Sequence, residues 1–226
     1  LGRAQHMDAI AAKGLSISGL WGDFHVPNLQ VGTVLDMIGM KGSYDLILLT
    51  VRAYDTEEAL REIQGLLVES TRVVSLQNGI GNAEKLLEAV GPHRAIGGRV
   101  IFGAKVNVPG AVEITVQADA TSIGPLAPQL HLLDVEPIAK TFSEAGATTV
   151  AVLNIWEVIF AKVLYNAALN GLSSLHGVAY GELLKSDDDK KKMSEIVHEG
   201  YSVADAKGLK LTPPTAQEYV DFLFNY

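Results

Sequence analysis

The fold class of this chain is indicated most clearly by YDLILLTV at residues 44–51, a short and almost continuously apolar run. Strands of parallel sheets are covered on both faces, so they consist of such runs rather than of alternating polar and apolar residues. The next segment, 55–63, opens with Asp55 and an acidic first turn and then places apolar residues at helical spacing. The sequence therefore predicts a strand followed by a helix.

The same order repeats downstream. Residues 71–76, TRVVSL, predict a second buried strand that ends in the loop QNGIGN, before a helical pattern over 83–90. Between 94 and 124 the pattern changes to β-branched residues, and a Pro-Gly pair at 109–110 predicts the turn of an antiparallel edge hairpin. A helix over 135–145 and a strand over 148–152 complete this part. The alternation of strands and helices predicts the α/β class.

Strand signals disappear after residue 153. Residues 154–157, NIWE, have the form of a capping box, and 155–175 contain no proline and one glycine, which predicts a long helix. The remainder also has helical patterns, and the charged run KSDDDKKK at 185–192 is interpreted as a solvated helix start with acids leading and bases following. We therefore predict a sheet domain over 1–153 and an all-α domain over 154–226.

Composition excludes several kinds of protein. The chain has 226 residues, 48% of them hydrophobic, which is enough to bury a core, and its net charge of −8 argues against binding nucleic acid through a basic surface. The absence of cysteine excludes disulfides, thiolate zinc sites and a cysteine nucleophile. No stretch of 18 uncharged apolar residues and no signal-peptide pattern occurs. We expect a soluble, cytoplasmic protein with no metal site and no nucleic-acid or membrane partner.

Both ends of the chain indicate that it is a segment of a longer protein. A parallel sheet that opens at the loop LGR, residues 1–3, would lack its first β-α unit. At the other end, DFLFNY at 221–226 stops within an amphipathic pattern. We therefore expect further structure on either side of these residues.

One helix face carries a polar stripe. Lys162, Asn166 and Asn170 are spaced at i, i+4 and i+8, so they turn only roughly 80° around the helix and share a face. The residues around them are apolar, and burying polar groups without partners costs several kcal/mol, which makes a polar ligand one explanation. The other is a lysine that reaches solvent while the asparagines bond a neighbouring helix.

Carbonyl reduction is the chemistry that suits such a stripe. As hydride reaches a carbonyl carbon, negative charge develops on the oxygen, and a nearby ammonium group can stabilise this charge and supply the proton. Partial burial lowers a lysine pKa towards neutrality, which favours this role. Asparagines can donate to a carboxylate or bond a hydroxyl without adding charge. The pattern would thus fit a small oxo acid.

Two loops are placed where ligands bind in doubly wound sheets, at the carboxyl ends of predicted parallel strands. Asn78 and Gly79 follow the strand at 71–76, although Asn-Gly is also a common turn. Arg52 follows the strand at 44–51, where a guanidinium group could meet a cofactor phosphate or ribose, or could simply be exposed. Both positions are candidates for cofactor contacts.

Taken in their order along the chain, the candidate residues and the segments around them resemble the ketopantoate reductase family. The most specific part is the lysine at 162 followed at four-residue steps by two asparagines. The resemblance is carried by Gly2-Arg3 with Gly14-Leu15, by 44–55 and 76–81, by 97–104 with Pro109-Gly110 and Ile123-Gly124, and by 156–183 with its GEL at 181–183. It implies a Rossmann-like dinucleotide-binding domain followed by an all-α domain of the 6-phosphogluconate-dehydrogenase C-terminal type.

The resemblance also implies an activity. Members of this family reduce 2-dehydropantoate (ketopantoate) to pantoate with NADPH, a step towards pantothenate and coenzyme A. A homodimer is the assembly that we consider. The position of Lys162 is that of the proton donor, and those of Asn166 and Asn170 bind substrate. Tyr180 occupies a position that is a substrate-contacting asparagine in some members, which puts the match of the pocket to ketopantoate in doubt.

Four further residues fall at positions that bind cofactor in the family. Asn78 would contact NADPH near the reacting centre and Ala104 would approach it through its backbone. Arg3 would meet the 2′-phosphate that distinguishes NADP from NAD. Arg52 stands where the family usually has lysine, so the charge is kept but the contact geometry need not be.

Two other functions stay open. The first is reduction of a different branched or aromatic 2-oxo acid on the same scaffold, which the tyrosine at 180 favours. The second is a non-catalytic cofactor-binding or structural domain, because these residues contain neither the family's Gly-x-Gly-x-x-Gly loop nor its later serine and acidic residue. Polyol-phosphate and opine dehydrogenases also combine a dinucleotide domain with a helical one, but they lack the Lys-Asn-Asn series.

Overall fold

The computed structural model describes residues 1–32 and 44–225, and Tyr226 of the predicted amphipathic end lies outside them. The strands are β1 (Leu15–Gly19), β2 (Phe24–Val26), β3 (Leu46–Leu49), β4 (Arg72–Ser75), β5 (Ala95–Arg99), β6 (Phe102–Val108), β7 (Ala111–Gln117), β8 (Thr121–Pro125) and β9 (Thr149–Ala151). The helices are α1 (Ala4–Lys13), α2 (Thr56–Ile63), α3 (Asn82–Val90), α4 (Leu132–Glu144), α5 (Ile155–His176), α6 (Tyr180–Leu183), α7 (Asp187–Ala206) and α8 (Ala216–Asn225).

The larger sheet has the strand order β3-β4-β5-β8-β9. Strands β3, β4 and β5 are parallel, whereas β8 runs antiparallel to β5 and parallel to β9. Parallel pairing brings the carboxyl ends of β3, β4 and β5 to one edge, where ligands bind in sheets of this kind. The predicted α/β fold with a following helical part is confirmed.

Both faces of this sheet are covered, as the continuous apolar runs predicted. Helices α2 and α3 and the start of α5 pack on one face around Val73 and Leu86, and α4 packs on the other around Val74 and Ile123. Alternate residues of β4 therefore point into two different cores, and both Val73 and Val74 are fully buried.

The predicted hairpin is present, but it belongs to a second sheet. Strands β6 and β7 turn at Pro109 and Gly110 and join two strands that the sequence did not predict, in the order β2-β1-β7-β6. Strand β1 reads LSISG and β2 reads FHV, so each is too short to give a clear strand pattern.

Helices α5 to α8 form the second part of the molecule. A core cluster joins α5 to α7 and α8, and Tyr219 Oη on α8 donates a hydrogen bond of 2.6 Å to the Ala161 carbonyl of α5. Among the described residues, α5 is the one helix whose length and composition would suffice to cross a membrane, and its buried side chains form this core. Strand β9 ends at Ala151 and α5 begins at Ile155, while the boundary at 153/154 stays a prediction.

Two sequence interpretations of the helical part were wrong in detail. Asn154 makes no side-chain capping bond, and α5 is instead fixed by the buried Ile155 and by Trp156 Nε1, which donates to the Leu126 carbonyl at 3.0 Å. The charged run begins α7, but Asp189 is buried rather than solvated. Its carboxylate lies 3.1 Å from His176 Nε2 at the end of α5, so it joins two helices.

Two glycines allow α5 to approach the sheet closely. A Cβ atom on Gly124 would lie 2.1 Å from the Val152 carbonyl oxygen and 2.9 Å from Ile155 Cβ. A Cβ atom on Gly97 would lie 3.1 Å from Ile159 Cδ1. Because these side chains are missing, the first turns of α5 rest directly on β5 and β8, and the next turn reaches the carboxyl end of β5.

Candidate active site

Lys162 lies where α5 meets the carboxyl ends of β4 and β5. Its Nζ atom donates to Asn78 Oδ1 at 2.6 Å and to the Val100 carbonyl, which directly follows β5. These contacts join the helical stripe to the loop after β4, two features that are 84 residues apart in the sequence. An ammonium group has three donors, so one N–H is left over from these two bonds.

A buried polar network fixes Asn78. Asn82 Nδ2 donates to the Asn78 carbonyl at 2.8 Å, and Thr56 Oγ1 donates to Asn82 Oδ1 at 3.0 Å. Gln77 Nε2 donates to Thr56 Oγ1 and to the Val51 carbonyl, both at 2.8 Å. Because Thr56 and Asn82 are buried and bonded, the loop that holds the Lys162 partner has little freedom to move.

The surroundings of Lys162 favour loss of its proton. Burial lowers the pKa of the Lys162 ammonium below its usual value, and the positive charge of Arg99 lowers it further. Lys162 and Arg99 line one small cavity with Gln77 and Asn78. A lysine of this kind can give up a proton more readily than an exposed one, which suits a general acid.

The rest of the polar stripe is more exposed than the sequence indicated. Asn166 is half-buried, and none of the described residues bonds its side chain. Asn170 is exposed, and its Oδ1 accepts a hydrogen bond from Tyr180 Oη. The Tyr180 ring packs edge-on against Tyr165 with 6.2 Å between centroids. Tyr180 therefore does contact the stripe, through Asn170.

A wide cleft with a volume of about 830 Å³ lies along β3 and the loop after it. Arg3, just before α1, and Arg52, just after β3, both line this cleft. Arg52 Nη1 also donates to Tyr54 Oη at 3.0 Å. The cleft meets the lysine site at the Val51 carbonyl, which accepts the hydrogen bond from Gln77.

The structure does not bring Ala104 into either of these cavities. Ala104 is exposed on β6, where the pairing with β7 shifts register between Gly103 and Ala104. It lies four residues beyond the Val100 carbonyl that binds Lys162. A backbone contact from Ala104 to a cofactor thus stays a prediction.

Sequence reasoning missed the residues that hold the site together. Thr56 and Asn82 each begin a helix directly after a candidate loop, which is a position where buried polar side chains bond such loops. The Val100 carbonyl and Arg99 carry no sequence signal, because their roles depend on the packing of α5 against β5.

Comparison with known proteins gives matches over most of the chain. A family model described as ketopantoate reductase PanE/ApbA matches residues 1–128, and its C-terminal counterpart matches residues 154–226. The chain is 33% identical to a 2-dehydropantoate 2-reductase of Aquifex aeolicus, over 92% of the chain and 72% of the relative. It is 36% identical to one of Pyrococcus horikoshii, over 93% of the chain and 66% of the relative.

A solved structure agrees with these sequence matches. The 2-dehydropantoate 2-reductase of Geobacter metallireducens superimposes with a TM-score of 0.88 at 26% identity, covering 100% of this chain and 73% of that one. The chain thus spans about two thirds to three quarters of the length of these relatives.

Proposed function

Because this chain belongs to the ketopantoate reductase family and so to the oxidoreductases that act on a keto or hydroxyl group, we propose that it reduces ketopantoate to pantoate with NADPH. This reaction leads towards pantothenate and coenzyme A. The observation that carries the proposal is the pair formed by Lys162 and Asn78 at the carboxyl edge of the parallel strands. The names of the curated relatives support the same substrate.

Lys162 is the proposed proton donor. Its bonds to Asn78 and to the Val100 carbonyl fix the ammonium group and leave one N–H for the oxygen of the substrate carbonyl. As negative charge develops on that oxygen, the ammonium group stabilises it and then transfers a proton to it. The lowered pKa of Lys162 reduces the free energy needed for this transfer.

The asparagines of the stripe are proposed to hold the oxo acid. Asn170 Oδ1 accepts the bond from Tyr180, so its Nδ2 is oriented as a donor towards a carboxylate or hydroxyl oxygen. Asn166 lies between Lys162 and Asn170 on the same helix face and can donate to the same molecule. The carboxylate and the carbonyl of one small substrate would then be bound along a single helix.

The large cleft along β3 is proposed to bind the adenosine 2′-phosphate end of NADPH. Arg3 and Arg52 line it, and two guanidinium groups suit an adenosine 2′-phosphate and the phosphates near it. Asn78 and Ala104 are proposed to contact the other end. When bound, NADPH supplies the hydride; the residues of this chain orient it and exclude water.

The proposal is tested by following NADPH oxidation by the full-length protein with ketopantoate, with NADH and pyruvate as parallel controls. We expect turnover that requires ketopantoate and prefers NADPH. Binding of NADPH without turnover of ketopantoate would exclude this substrate, and turnover with NADH alone would contradict the choice of cofactor. Failure to bind either cofactor would leave only a structural or otherwise non-catalytic role.

A second candidate is reduction of another 2-oxo acid with a branched or aromatic side chain. It is favoured by the tyrosine pair at the end of the stripe, where Tyr180 donates a hydrogen bond to Asn170 Oδ1 and packs edge-on against Tyr165. An aromatic wall suits an apolar substrate side chain more than a hydroxyl group. Comparing kcat/KM for ketopantoate with that for phenylpyruvate and 2-oxoisovalerate separates the two candidates.

A further inference from the structure

Arg99 is a largely buried cation whose guanidinium group is held at the end of β5. Its Nη2 donates to Asp119 Oδ2 at 2.7 Å, and to the Ala120 carbonyl and Ser122 Oγ at 3.2 Å each. Residue 99 pairs with Ser122 of β8 across the antiparallel strands. The side chain of Arg99 is only 19% exposed, so this is a fixed arrangement and not a surface arginine.

The environment of Arg99 is unfavourable in two respects. Its Nε atom is buried without a hydrogen-bond partner among the described residues, which is energetically unfavourable. Its charge also lies close enough to Lys162 to affect the titration of that residue, and both side chains line the same small cavity. Two cations line this cavity, and Asp119 is their one carboxylate partner in the part of the chain that the structure describes, which needs an explanation.

We propose that Arg99 is a positioning residue for Lys162, which fixes the strand end that carries the Val100 carbonyl and keeps a second positive charge beside the ammonium group. The geometry supports both parts. The bonds of Arg99 tie the last residue of β5 to β8, and the next residue, Val100, accepts the hydrogen bond from Lys162. This inference rests on the proposed role of Lys162 as the proton donor.

The charged and titratable groups around Arg99 and Lys162 determine whether a substitution raises or lowers the pKa of Lys162. From α5 comes Lys162 itself, from β5 Arg99, and from the loop before β8 Asp119, whose side chain is 58% exposed. From α8 comes Tyr219, whose pKa is raised by burial and whose hydroxyl donates to the Ala161 carbonyl, so it is neutral. Burial opposes ionisation of Asp119, yet the hydrogen bond from Arg99 keeps its pKa below the usual value.

Removal of the Arg99 charge should therefore make Lys162 hold its proton more tightly. Asp119 is a carboxylate that partly offsets Arg99, so its removal should have the opposite effect. These two changes of opposite sign separate an electrostatic role from a general loss of structure, because damage to the fold would move both variants in the same direction.

The test measures the pH midpoint for modification of Lys162 by an amine-reactive reagent, followed by mass spectrometry of the labelled peptide. In Arg99→Gln the unprotonated fraction of Lys162 at a fixed pH below the midpoint should fall by about threefold or more. In Asp119→Asn this fraction should rise, and Arg99→Lys should restore most of the wild-type midpoint. Arg72→Gln is the matched control, because Arg72 lies at the amino end of β4 and Lys162 lies at its carboxyl end.

An unchanged midpoint in Arg99→Gln would overturn the inference. If that variant does not fold, Asp119→Asn decides alone, because its exposed side chain can be replaced without disturbing a core: a rise supports the inference, and no change overturns it. The labelling needs no turnover. If Lys162→Ala kept the wild-type kcat, the proposed function would be excluded. The effect of the Arg99 and Asp119 substitutions on Lys162 labelling would still stand, because it is measured in proteins that retain Lys162.

Discussion

At the residue scale, the spacing of one lysine and two asparagines indicated a candidate site, but it did not identify the partners of the lysine. The helical period put Lys162, Asn166 and Asn170 on one face, and the structure has them there on α5. The bonds of Lys162 to Asn78 and to the Val100 carbonyl join segments far apart in the sequence. Such contacts depend on how the helix lies on the sheet, which no local pattern encodes.

Replacement of Lys162 by alanine should lower kcat by about 10²–10⁴-fold, the usual range for loss of a general acid, while NADPH affinity changes little. Steady-state kinetics and a fluorescence titration of NADPH measure the two effects separately. Lys140→Ala on α4, an exposed lysine, serves as the control. A kcat equal to that of the wild type would mean that another group supplies the proton.

The pH dependence of the reaction follows from the state of the same lysine. In the proposed mechanism reduction needs the protonated ammonium group of Lys162, so kcat for reduction should be constant at low pH and fall as pH rises through the Lys162 pKa. Since burial and Arg99 lower that pKa, the fall should occur below the range of an exposed lysine. Oxidation of the alcohol needs the neutral amine and should increase over the same range. A flat profile in both directions would contradict this assignment.

At the element scale, the close approach of α5 to the larger sheet positions Lys162. Gly97 on β5 and Gly124 on β8 leave the space that the first turns of α5 occupy, and Trp156 bonds the Leu126 carbonyl beside them. The sequence predicted the helix and a β-rich segment between 94 and 124, but not β5 and β8 individually, and the glycines were noted only through the family resemblance. Their role depends on tertiary packing, because each lacks a side chain where another element comes close.

Replacement of Gly124 by alanine should destabilise the protein by about 1–3 kcal/mol or more, because the added methyl group would lie 2.1 Å from the Val152 carbonyl oxygen. Chemical denaturation measures the change in the free energy of unfolding. Gly171→Ala on α5 is the matched control, since nothing lies within 4 Å of its Cβ position, and there alanine should add up to roughly 1 kcal/mol of stability. Equal effects at the two glycines would contradict the packing argument.

At the scale of the whole molecule, two sites lie along one edge of the sheet. The cleft lined by Arg3 and Arg52 and the small cavity around Lys162 are connected through Gln77, which bonds the Val51 carbonyl and Thr56. A dinucleotide extends over more than one loop of such a sheet, so we propose that a single elongated cofactor spans both candidate sites.

Arg3→Ala should weaken NADPH binding by about 10-fold or more and leave NADH binding unchanged, because a charge-assisted hydrogen bond to a phosphate contributes about 1.5–3 kcal/mol. Titration of both cofactors with the full-length protein tests this prediction. Arg61→Ala on α2 provides a control on an exposed arginine outside the cleft. An equal loss of affinity for the two cofactors would mean that Arg3 does not read the 2′-phosphate.

The sequence by itself determined the α/β class, the helical second part and the face of α5 that carries the polar residues. These features follow from short-range rules, since apolar periodicity and turn residues act within a few positions of one another. Only the tertiary structure decided that β6 and β7 join β1 and β2 in a separate sheet, that Asp189 is buried against His176, and that Arg99 lies beside Lys162. Each depends on which distant segments pack together, and the free energy of that packing is a property of the whole chain.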